Sequence, residues 1–417
     1  MIWDQVEGNW TDTAVANEIF VADTFSGLTF TLTTGMDNIT GTSGNDVFVG
    51  TYNDAGTGTF NNTDVLNGNG GTDTLHITPI GVAAITPADA YWTGITGIEK
   101  IVIDTTGAGA QTITTGAAFQ AAFAAASVDL TTTSNGGAIT IDSSTFTGAA
   151  TLTTSSGAGA QTITTGSGLA AVTATSTDGA LTITGANLVT VTATSDAGAQ
   201  TITSTGTGPA TVTATSGAGA QTITGANLVT VTATSDAGAQ TITSTGAGAV
   251  TVTASSGAGA TTIVTGAGND IITLLATGAA GANTITAGSG ADTVTLVTGA
   301  LAAPDTIVIG NTDSGITVAT ADSITGFATG IDHLKMGTAG VAGNYVAAGE
   351  GLADFTAAHT AADTALAGLA GAERYSFQWD ATNGYLFNDV NGDGAADQVV
   401  VLVGITGATF AAADIIV

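Results

Sequence analysis

Four oxygen-bearing side chains are concentrated in a short segment near the C-terminus, DVNGDGAAD. The candidate ligands are Asp389, Asn391, Asp393 and Asp397. They occupy the first, third, fifth and ninth positions of a calcium-loop pattern, with glycine at the sixth. The twelfth position is valine, so the bidentate glutamate of an EF-hand is missing. The segment predicts either a calcium site that Asp397 closes or an Asx-rich hairpin turn.

Glycine-rich turns that end in aspartate recur along the chain. GAGNDIIT and GSGADTVT contain Asp270 and Asp292, whereas GTSGNDVFV and GNGGTDTLH contain Asp46 and Asp73 in a looser pattern. Glycines let backbone carbonyls converge, aspartate supplies charge, and Ca²⁺ takes several oxygen ligands. The spacings are 292 − 270 = 22 and 73 − 46 = 27 residues, so each turn is a separate candidate calcium site. The alternative is that each aspartate caps its turn.

The charge balance of the chain limits its partners. Among 417 residues, Lys+Arg number 3 and Asp+Glu 33, which gives a formal net charge of −30. Such a chain cannot form a basic patch, so we expect no nucleic-acid partner and no binding to an anionic membrane. A compact chain this acidic repels itself unless cations bind it, although acidity could also simply keep an exported protein soluble. Cysteine is absent, so neither disulfides nor thiol chemistry is available.

The sequence contains no recognisable catalytic constellation. The histidines, His76, His333 and His359, are far apart in sequence and form no H-E-x-x-H motif. There is no G-x-S-x-G elbow and no phosphate-binding loop. Carboxylates in a β-helix groove could act on a polysaccharide, but the central repeats have few acids, arginines or aromatic residues to hold a sugar. We therefore predict that the protein is not an enzyme.

The elements that position these residues are set by an internal repeat. Thr182–Gly206 and Thr222–Gly246 have identical sequences, displaced by 222 − 182 = 40 residues. Within this period, TIT triplets alternate with VTATS or VTASS segments, so one unit is about twenty residues, two short strands and two turns. Alternation puts Val, Ile, Leu and Ala on one face and Thr on the other. The pattern predicts an all-β fold, a β-solenoid stabilised by stacking of successive rungs.

The remaining segments differ in composition from the repeat. We predict three regions: an N-terminal cap or assembly segment at 1–35, the solenoid at 36–303 and a β-rich C-terminal cap domain at 304–417. Aromatic residues concentrate in the first region: Trp3, Trp10, Phe20, Phe25 and Phe30. Short helices are predicted at Pro87–Gly94, Ala117–Ala126 and Gly351–Arg374. TNG between WDA and YLF predicts a hairpin.

The chain starts without a basic and apolar leader, and no run of 18 apolar residues is present. The notable motif lies instead near the other end, where DSITGFATGIDHLKM fits D-x-I-x-x-F-x-x-G-x-D-x-L. The matching residues are Asp322, Ile324, Phe327, Gly330, Asp332 and Leu334, and the chain ends in Asp414-Ile415-Ile416-Val417. This region resembles the C-terminal part of serralysin-type and related RTX proteins, which leave the cell by type I secretion. The resemblance implies an uncleaved C-terminal secretion signal recognised by the type I apparatus.

Two further features extend this resemblance. The turns at Asp270 and Asp292 fit the nine-residue RTX pattern G-G-x-G-x-D-x-U-x from its second position onward. The repeat of Thr, Ala and Gly is similar to the sequences of β-strand-repeat and S-layer proteins of Gram-negative bacteria. Most rungs carry Thr and Ala instead of Gly and Asp, so we expect them to stack without metal. The resemblance implies a secreted structural protein that binds Ca²⁺ and self-assembles at the cell surface as a layer or filament. The alternative is that the Thr arrays bind ice or a crystalline carbohydrate, as in an adhesin.

Overall fold

The computed structural model describes residues 2–4, 9–11, 27–105, 107–123, 127–276, 278, 281–299, 303–349 and 351–417. Strands make up 44% of the structure, long parallel sheets dominate, and these described residues include two α-helices, which confirms the all-β, solenoid-like fold. By compactness the chain divides into Met1–Ser155 and Ser156–Val417. The region boundaries predicted after residues 35 and 303 stay predictions, and Phe20 and Phe25 lie outside the described residues. Over the described ranges, no helix has the length and apolar character needed to cross a membrane.

The first unit is built from short strands. They are β1 (Ile2–Asp4), β2 (Asn9–Thr11), β3 (Thr29–Thr31), β4 (Asn38–Thr40), β5 (Val47–Tyr52), β6 (Val65–Asn67), β7 (Thr74–Pro79), β8 (Ile95–Thr96), β9 (Lys100–Thr105), β10 (Gln111–Thr114), β11 (Val128–Ser134), β12 (Ile139–Ser143) and β13 (Ala150–Ser156). Parallel pairing joins β3, β5, β7, β9 and β11 in one sheet and β4, β6 and β8 in another. β10 pairs in parallel with β12, whereas β1 and β2 form an antiparallel pair.

Two helical insertions of the first unit meet in an aromatic cluster. Asp89–Trp92 forms a 3-10 helix, and α1 spans Ala117–Phe123, which confirms helical turns in both predicted segments. Ala124–Ala126, the predicted end of the second segment, lies outside the described residues. The Trp92 ring contacts the rings of Phe119 and Phe123 edge-on, at centroid distances of 5.3 and 5.9 Å. Burial of these large rings fixes the insertions against each other.

The second unit continues the strand-turn pattern. Its elements are β14 (Gln161–Thr165), β15 (Ala170–Ser176), β16 (Leu181–Gly185), β17 (Leu188–Ser195), β18 (Gln200–Ser204), β19 (Ala210–Ser216), β20 (Gln221–Gly225), β21 (Leu228–Ser235), β22 (Gln240–Ser244), β23 (Thr251–Ser256), β24 (Thr261–Val264), β25 (Ile271–Ala276), β26 (Thr284–Thr286), β27 (Thr293–Thr295), β28 (Thr306–Val308), β29 (Asp322–Thr325), β30 (His333–Lys335), β31 (Tyr345–Ala347), α2 (Phe355–Leu366), β32 (Arg374–Trp379), β33 (Asn383–Asp389), β34 (Gln398–Val403), a 3-10 helix (Ala412–Asp414) and β35 (Ile415–Ile416).

Alternate strands of this unit form two parallel sheets. Sheet I contains the even-numbered strands β14 to β30 and then β35, and sheet II contains the odd-numbered strands β15 to β29. The isoleucines of the TIT triplets are directly paired from rung to rung, for example Ile202 with Ile223, which confirms the rung length. In sheet II, Ala170 pairs with Leu188 and Ala171 with Thr190, so Val189 bulges out. The bulge leaves one residue of β17 unpaired near the start of the strand.

The interior of the second unit combines apolar rows with a ladder of buried amides. The inward Ile, Val, Leu and Ala side chains are buried, and the Thr side chains between them point outward. Gln221 donates to the side-chain oxygen of Gln200 at 3.1 Å, and Gln240 donates to that of Gln221 at 3.0 Å. The same amides of Gln221 and Gln240 also donate to backbone carbonyls of sheet II, at 3.0 Å in both cases. These hydrogen bonds satisfy the buried polar groups and tie one rung to the next.

An antiparallel meander and helix α2 complete the second unit. β32, β33 and β34 are antiparallel neighbours, which confirms the predicted hairpin, and β34 pairs in parallel with β29. Helix α2 buries Ala358, Ala362 and Leu366 in a core cluster with residues of the meander. The helix is shorter than the predicted Gly351–Arg374, because the Asp354 side chain caps its start by accepting the Ala357 N–H at 2.9 Å.

Candidate metal centres

In the first unit, the predicted site residues Asp46 and Asp73 lie at equivalent places on successive rungs. Each directly precedes a strand, β5 or β7, and both side chains are fully buried. Asp73 Oδ1 accepts the Asp46 N–H at 2.7 Å, and Glu99 Oε2 accepts the Asp73 N–H at 2.9 Å. Asp46 in turn accepts the Leu28 N–H at 2.6 Å. The fold therefore brings these acids together in one column, in which each carboxylate caps the rung before it.

One oxygen of this column has no hydrogen-bond partner. Asp73 Oδ2 is buried without a partner, and burial raises the pKa of Asp73, with the neighbouring Asp46 and Glu99 adding to the increase. Only glycine fits at position 68, next to Asp73 Oδ2. A Cβ atom built on Gly68 would lie 2.3 Å from Asp73 Oδ2 and 1.9 Å from the carbonyl oxygen of Gly97. The close approach of the Gly68 backbone places a carboxylate oxygen and a carbonyl oxygen near each other, and oxygen atoms of these two kinds are ligands of hard cations.

In the second unit, Asp270 and Asp292 form a second column with Asp322. Asp270 Oδ1 accepts the Val250 N–H at 2.8 Å, Asp292 Oδ1 accepts the Asp270 N–H at 2.7 Å, and Asp322 Oδ1 accepts the Asp292 N–H at 3.0 Å. Each of the three side chains is 1% exposed. Their Oδ2 atoms are buried without a hydrogen-bond partner. Burial is the main reason that the pKa is raised in all three, to about 7 in Asp292 and in Asp322.

A third column, on sheet I, was not predicted as a site. Asn283, Asp305 and Asp332 each precede a strand of sheet I and are buried. Asp305 Oδ1 accepts from the Asn283 backbone and amide side chain at 3.2 and 2.8 Å, and Asp332 Oδ1 accepts the Asp305 N–H at 2.9 Å. Burial raises the pKa of Asp305 to about 6. Asp332 Oδ2 accepts the Ala328 N–H at 2.7 Å, so both oxygens of this carboxylate are already used.

A simple sequence signal would have identified all of these columns. The residue before each participating strand is Asp, Asn or Glu, followed by one outward residue and then a buried apolar one. Examples are DVFV, DTLH, EKIV, DTVT, NTIT, DTIV and DHLK. The glycine-rich turns indicated Asp46, Asp73, Asp270 and Asp292 but gave no signal for Glu99, Asn283 and Asp305. Asp322 and Asp332 were noticed only as parts of the secretion-like motif.

The unpaired oxygens define what the columns could hold. An ionised carboxylate with a buried, unpaired oxygen is costly, and the cost is removed by a proton or by a cation. Asp270, Asp292 and Asp322 would each offer one carboxylate oxygen to a separate Ca²⁺, and backbone carbonyls of the glycine turns would complete the oxygen shell of each ion. No group of three or more His, Cys, Asp or Glu side chains is arranged to hold a metal ion anywhere in the described ranges. Such a site would therefore depend on backbone oxygens.

In the predicted calcium loop Asp389–Asp397, carboxylates accept hydrogen bonds from backbone N–H groups of the same loop. Asp389 Oδ1 accepts the Gly392 N–H at 2.7 Å, and its Oδ2 accepts the Gly394 N–H at 2.8 Å. Asp397 Oδ2 turns back to accept the Val390 N–H at 2.9 Å. Gly392 and Gly394 have φ angles of 76° and 96°, which favour glycine. This conformation is an Asx-rich turn, which is one of the two alternatives predicted for this segment, the other being a calcium site.

A guanidinium group also contacts this loop. Arg374 Nη1 lies 3.5 Å from Oδ2 of the fully buried Asp389 and donates to the carbonyl of Leu366, near the end of α2, at 3.3 Å. Asn391 Oδ1 and Asp393 Oδ1 each accept a backbone N–H two residues later, at 2.8 and 3.0 Å. Asp389 thus already has a cationic neighbour, whereas Asp393 and Asp397 are exposed side chains whose oxygens could reorient toward Ca²⁺.

The histidines occupy strand and helix surfaces. His76 Nε2 lies 3.2 Å from Asp104 Oδ2, and His359 Nε2 lies 3.8 Å from Asp363 Oδ1. His333 begins β30. His359 also stacks on the Phe387 ring, with centroids 5.3 Å apart and an interplanar angle of 13°. These contacts are those of ordinary surface pairs.

Comparison of the chain with the models of known protein families gives no match, and comparison with curated proteins gives none either.

Proposed function

We propose that the protein is a secreted structural protein that assembles, with the help of calcium, into a layer or filament at the surface of a Gram-negative bacterium. The observation that carries the proposal is the stack of nearly identical rungs in the second unit, paired in register from β14 onward. Repeats of this kind interact with their neighbours along one direction and form extended regular surfaces. The resemblance of the repeat to β-strand-repeat and S-layer proteins supports the same function.

Calcium assists this assembly by neutralising the buried acid columns. The residues proposed to bind it in the second unit are Asp270 and Asp292 with Asp322, whose Oδ2 atoms have no other partner. Asp46 and Asp73 would do the same in the first unit, and Asp389, Asn391, Asp393 and Asp397 in the C-terminal loop. With a formal charge of −30, bound cations also reduce the repulsion between copies.

Export is proposed to use the C-terminal region and the type I apparatus. The support is the motif from Asp322 to Leu334 together with the acidic and then apolar segment Asp414-Ile415-Ile416-Val417. In the folded protein these residues have structural positions: the motif supplies β29 and β30, and Ile415–Ile416 form β35, which pairs with β30.

Electron microscopy of the purified protein tests the proposal directly. We expect ordered sheets or filaments in millimolar Ca²⁺ that dissolve when a chelator is added and reform when Ca²⁺ is restored. Mg²⁺ at the same concentration is the matched control, because it demands a stricter geometry and dehydrates reluctantly. Isolated particles of one copy in every condition would contradict self-assembly as the function.

A further inference from the structure

The outward face of sheet II, over β15 to β29, lacks charge. Every outward-pointing residue of these eight strands is Thr, Ser, Ala, Val, Ile or Leu. The outward positions of sheet I are also uncharged from β14 to β28, and His333 and Lys335 follow at β30. In a protein of formal charge −30, two copies repel each other wherever their acids approach. The strands of sheet II therefore present no charge to a second surface, and the nearest acids are the exposed Asp196 and Asp236 in the turns after β17 and β21.

The same face also exposes apolar side chains. Val189 and Val229, the two bulge residues, are 40% and 44% exposed, and Ile271 and Leu275 on β25 are 49% and 50% exposed. Sheet I has none of the large, well-exposed apolar side chains on its strands β14 to β30. Contact with another surface would remove these side chains from water, which favours association.

The size of the face is sufficient for a specific interface. Strands β15 to β25 contain six to eight residues each. With about 4.8 Å between strands and about 3.3 Å per residue, the six strands cover roughly 29 by 23 Å, or about 650 Å². Two such faces together bury about 1,300 Å², within the range of about 1,200 to 2,000 Å² for specific protein interfaces.

We infer that the occupant of this face is a second copy of the chain, packed sheet II against sheet II. The inference rests on the proposed self-assembly and names the interface for it. A twofold contact of this kind uses the same patch on both copies. The rung spacing is then identical on the two sides, so Thr columns and apolar side chains meet in the same register along the whole face. Two β-sheets can pack in this way at about 10 Å separation, as in β-sandwiches.

Thr213 and Thr224 provide a matched pair of variants to test the interface. Thr213 is outward on β19, one of the two middle strands of the six-strand face β15 to β25, and pairs with Thr192 and Thr232. Thr224 is outward and equally half-exposed on β20 of sheet I. Sedimentation velocity over a concentration series in millimolar Ca²⁺ measures association of wild type, Thr213→Glu and Thr224→Glu. We expect Thr213→Glu to weaken association by about 100-fold or more, since like charges would meet at the interface, and Thr224→Glu to behave as wild type.

Circular dichroism and melting temperature verify that each variant is folded. If Thr213→Glu does not fold, Thr215→Glu, at a more exposed position of the same strand, replaces it. The inference is overturned, but self-assembly is not, if the wild type associates and Thr213→Glu associates equally well. The same holds if both variants abolish association equally. A wild type that stays monomeric throughout overturns both. The wild type could instead stay monomeric and bind ice crystals or insoluble polysaccharide, with this binding lost in Thr213→Glu only. That result would show that the face binds a crystalline ligand and would overturn the inference that a second copy occupies it.

Discussion

The buried carboxyl of Asp292 should make the calcium-free protein less stable as the pH rises. Burial is the main reason that its pKa is raised to about 7 from an ordinary value of 3.8. In the unfolded chain the carboxyl ionises near the ordinary value, so between these two pH values only the folded state keeps the proton. The stabilising contribution is therefore complete below about pH 4 and is lost as the pH rises through about 7.

The magnitude follows from the same two values. One pKa unit corresponds to about 1.4 kcal/mol, so the difference between 3.8 and about 7 sets an upper limit near 4 kcal/mol. Relaxation of the turn and entry of water reduce this limit, and we expect about 2 kcal/mol. Asp292→Asn removes the charge and keeps the acceptor for the Asp270 N–H, which lies 2.7 Å away in the wild type.

Urea unfolding in chelator at pH 5 and pH 8 tests the argument. We expect the wild type to lose stability between these pH values, and Asp292→Asn to lose about 1 kcal/mol less, because part of the total change falls below pH 5. Saturating Ca²⁺ should restore the wild type at pH 8 and have a smaller effect on the variant. Asp178→Asn, which removes a charge from an exposed turn, is the control and should follow the wild type. Wild-type stability that stays constant or increases from pH 5 to pH 8 in chelator would refute the reasoning.

Three other outcomes are expected. Asp393→Ala should reduce the calcium-dependent rise in melting temperature of the second unit, and an equal rise in both proteins would exclude calcium at this loop. Deleting Phe410–Val417 should leave the protein inside the cell, as measured by immunoblot of cells and medium; normal export would contradict the C-terminal signal. Gln221→Ala breaks hydrogen bonds to Gln200 and Gln240 and should cost about 3 kcal/mol in urea unfolding, whereas Thr222→Ala, on the surface, should cost less than about 0.5 kcal/mol.

Several features of the fold could be predicted because they depend on local periodicity. Alternation of apolar residues and Thr fixes which side chains point inward, and the equal spacing of the TIT triplets fixes which isoleucines pair. The helix at α2 was predicted from its apolar spacing but its start was not, since the start depends on the cap at Asp354. The inward glutamines were not assigned a role, because a ladder of amides exists only when rungs about twenty residues apart are stacked.

By itself, the sequence determined the rung, its two strands, the inward and outward faces and the individual turns with acidic residues, because neighbours along the chain set each of these. The tertiary structure decided which acids stand in one column. Asp292 and Asp322 are 30 residues apart in sequence but share a hydrogen bond, since β27, β28 and their turns return the chain to the next rung. It also placed Arg374 against Asp389. Contacts between residues on different rungs or elements depend on the path of the whole chain, which local spacing does not specify.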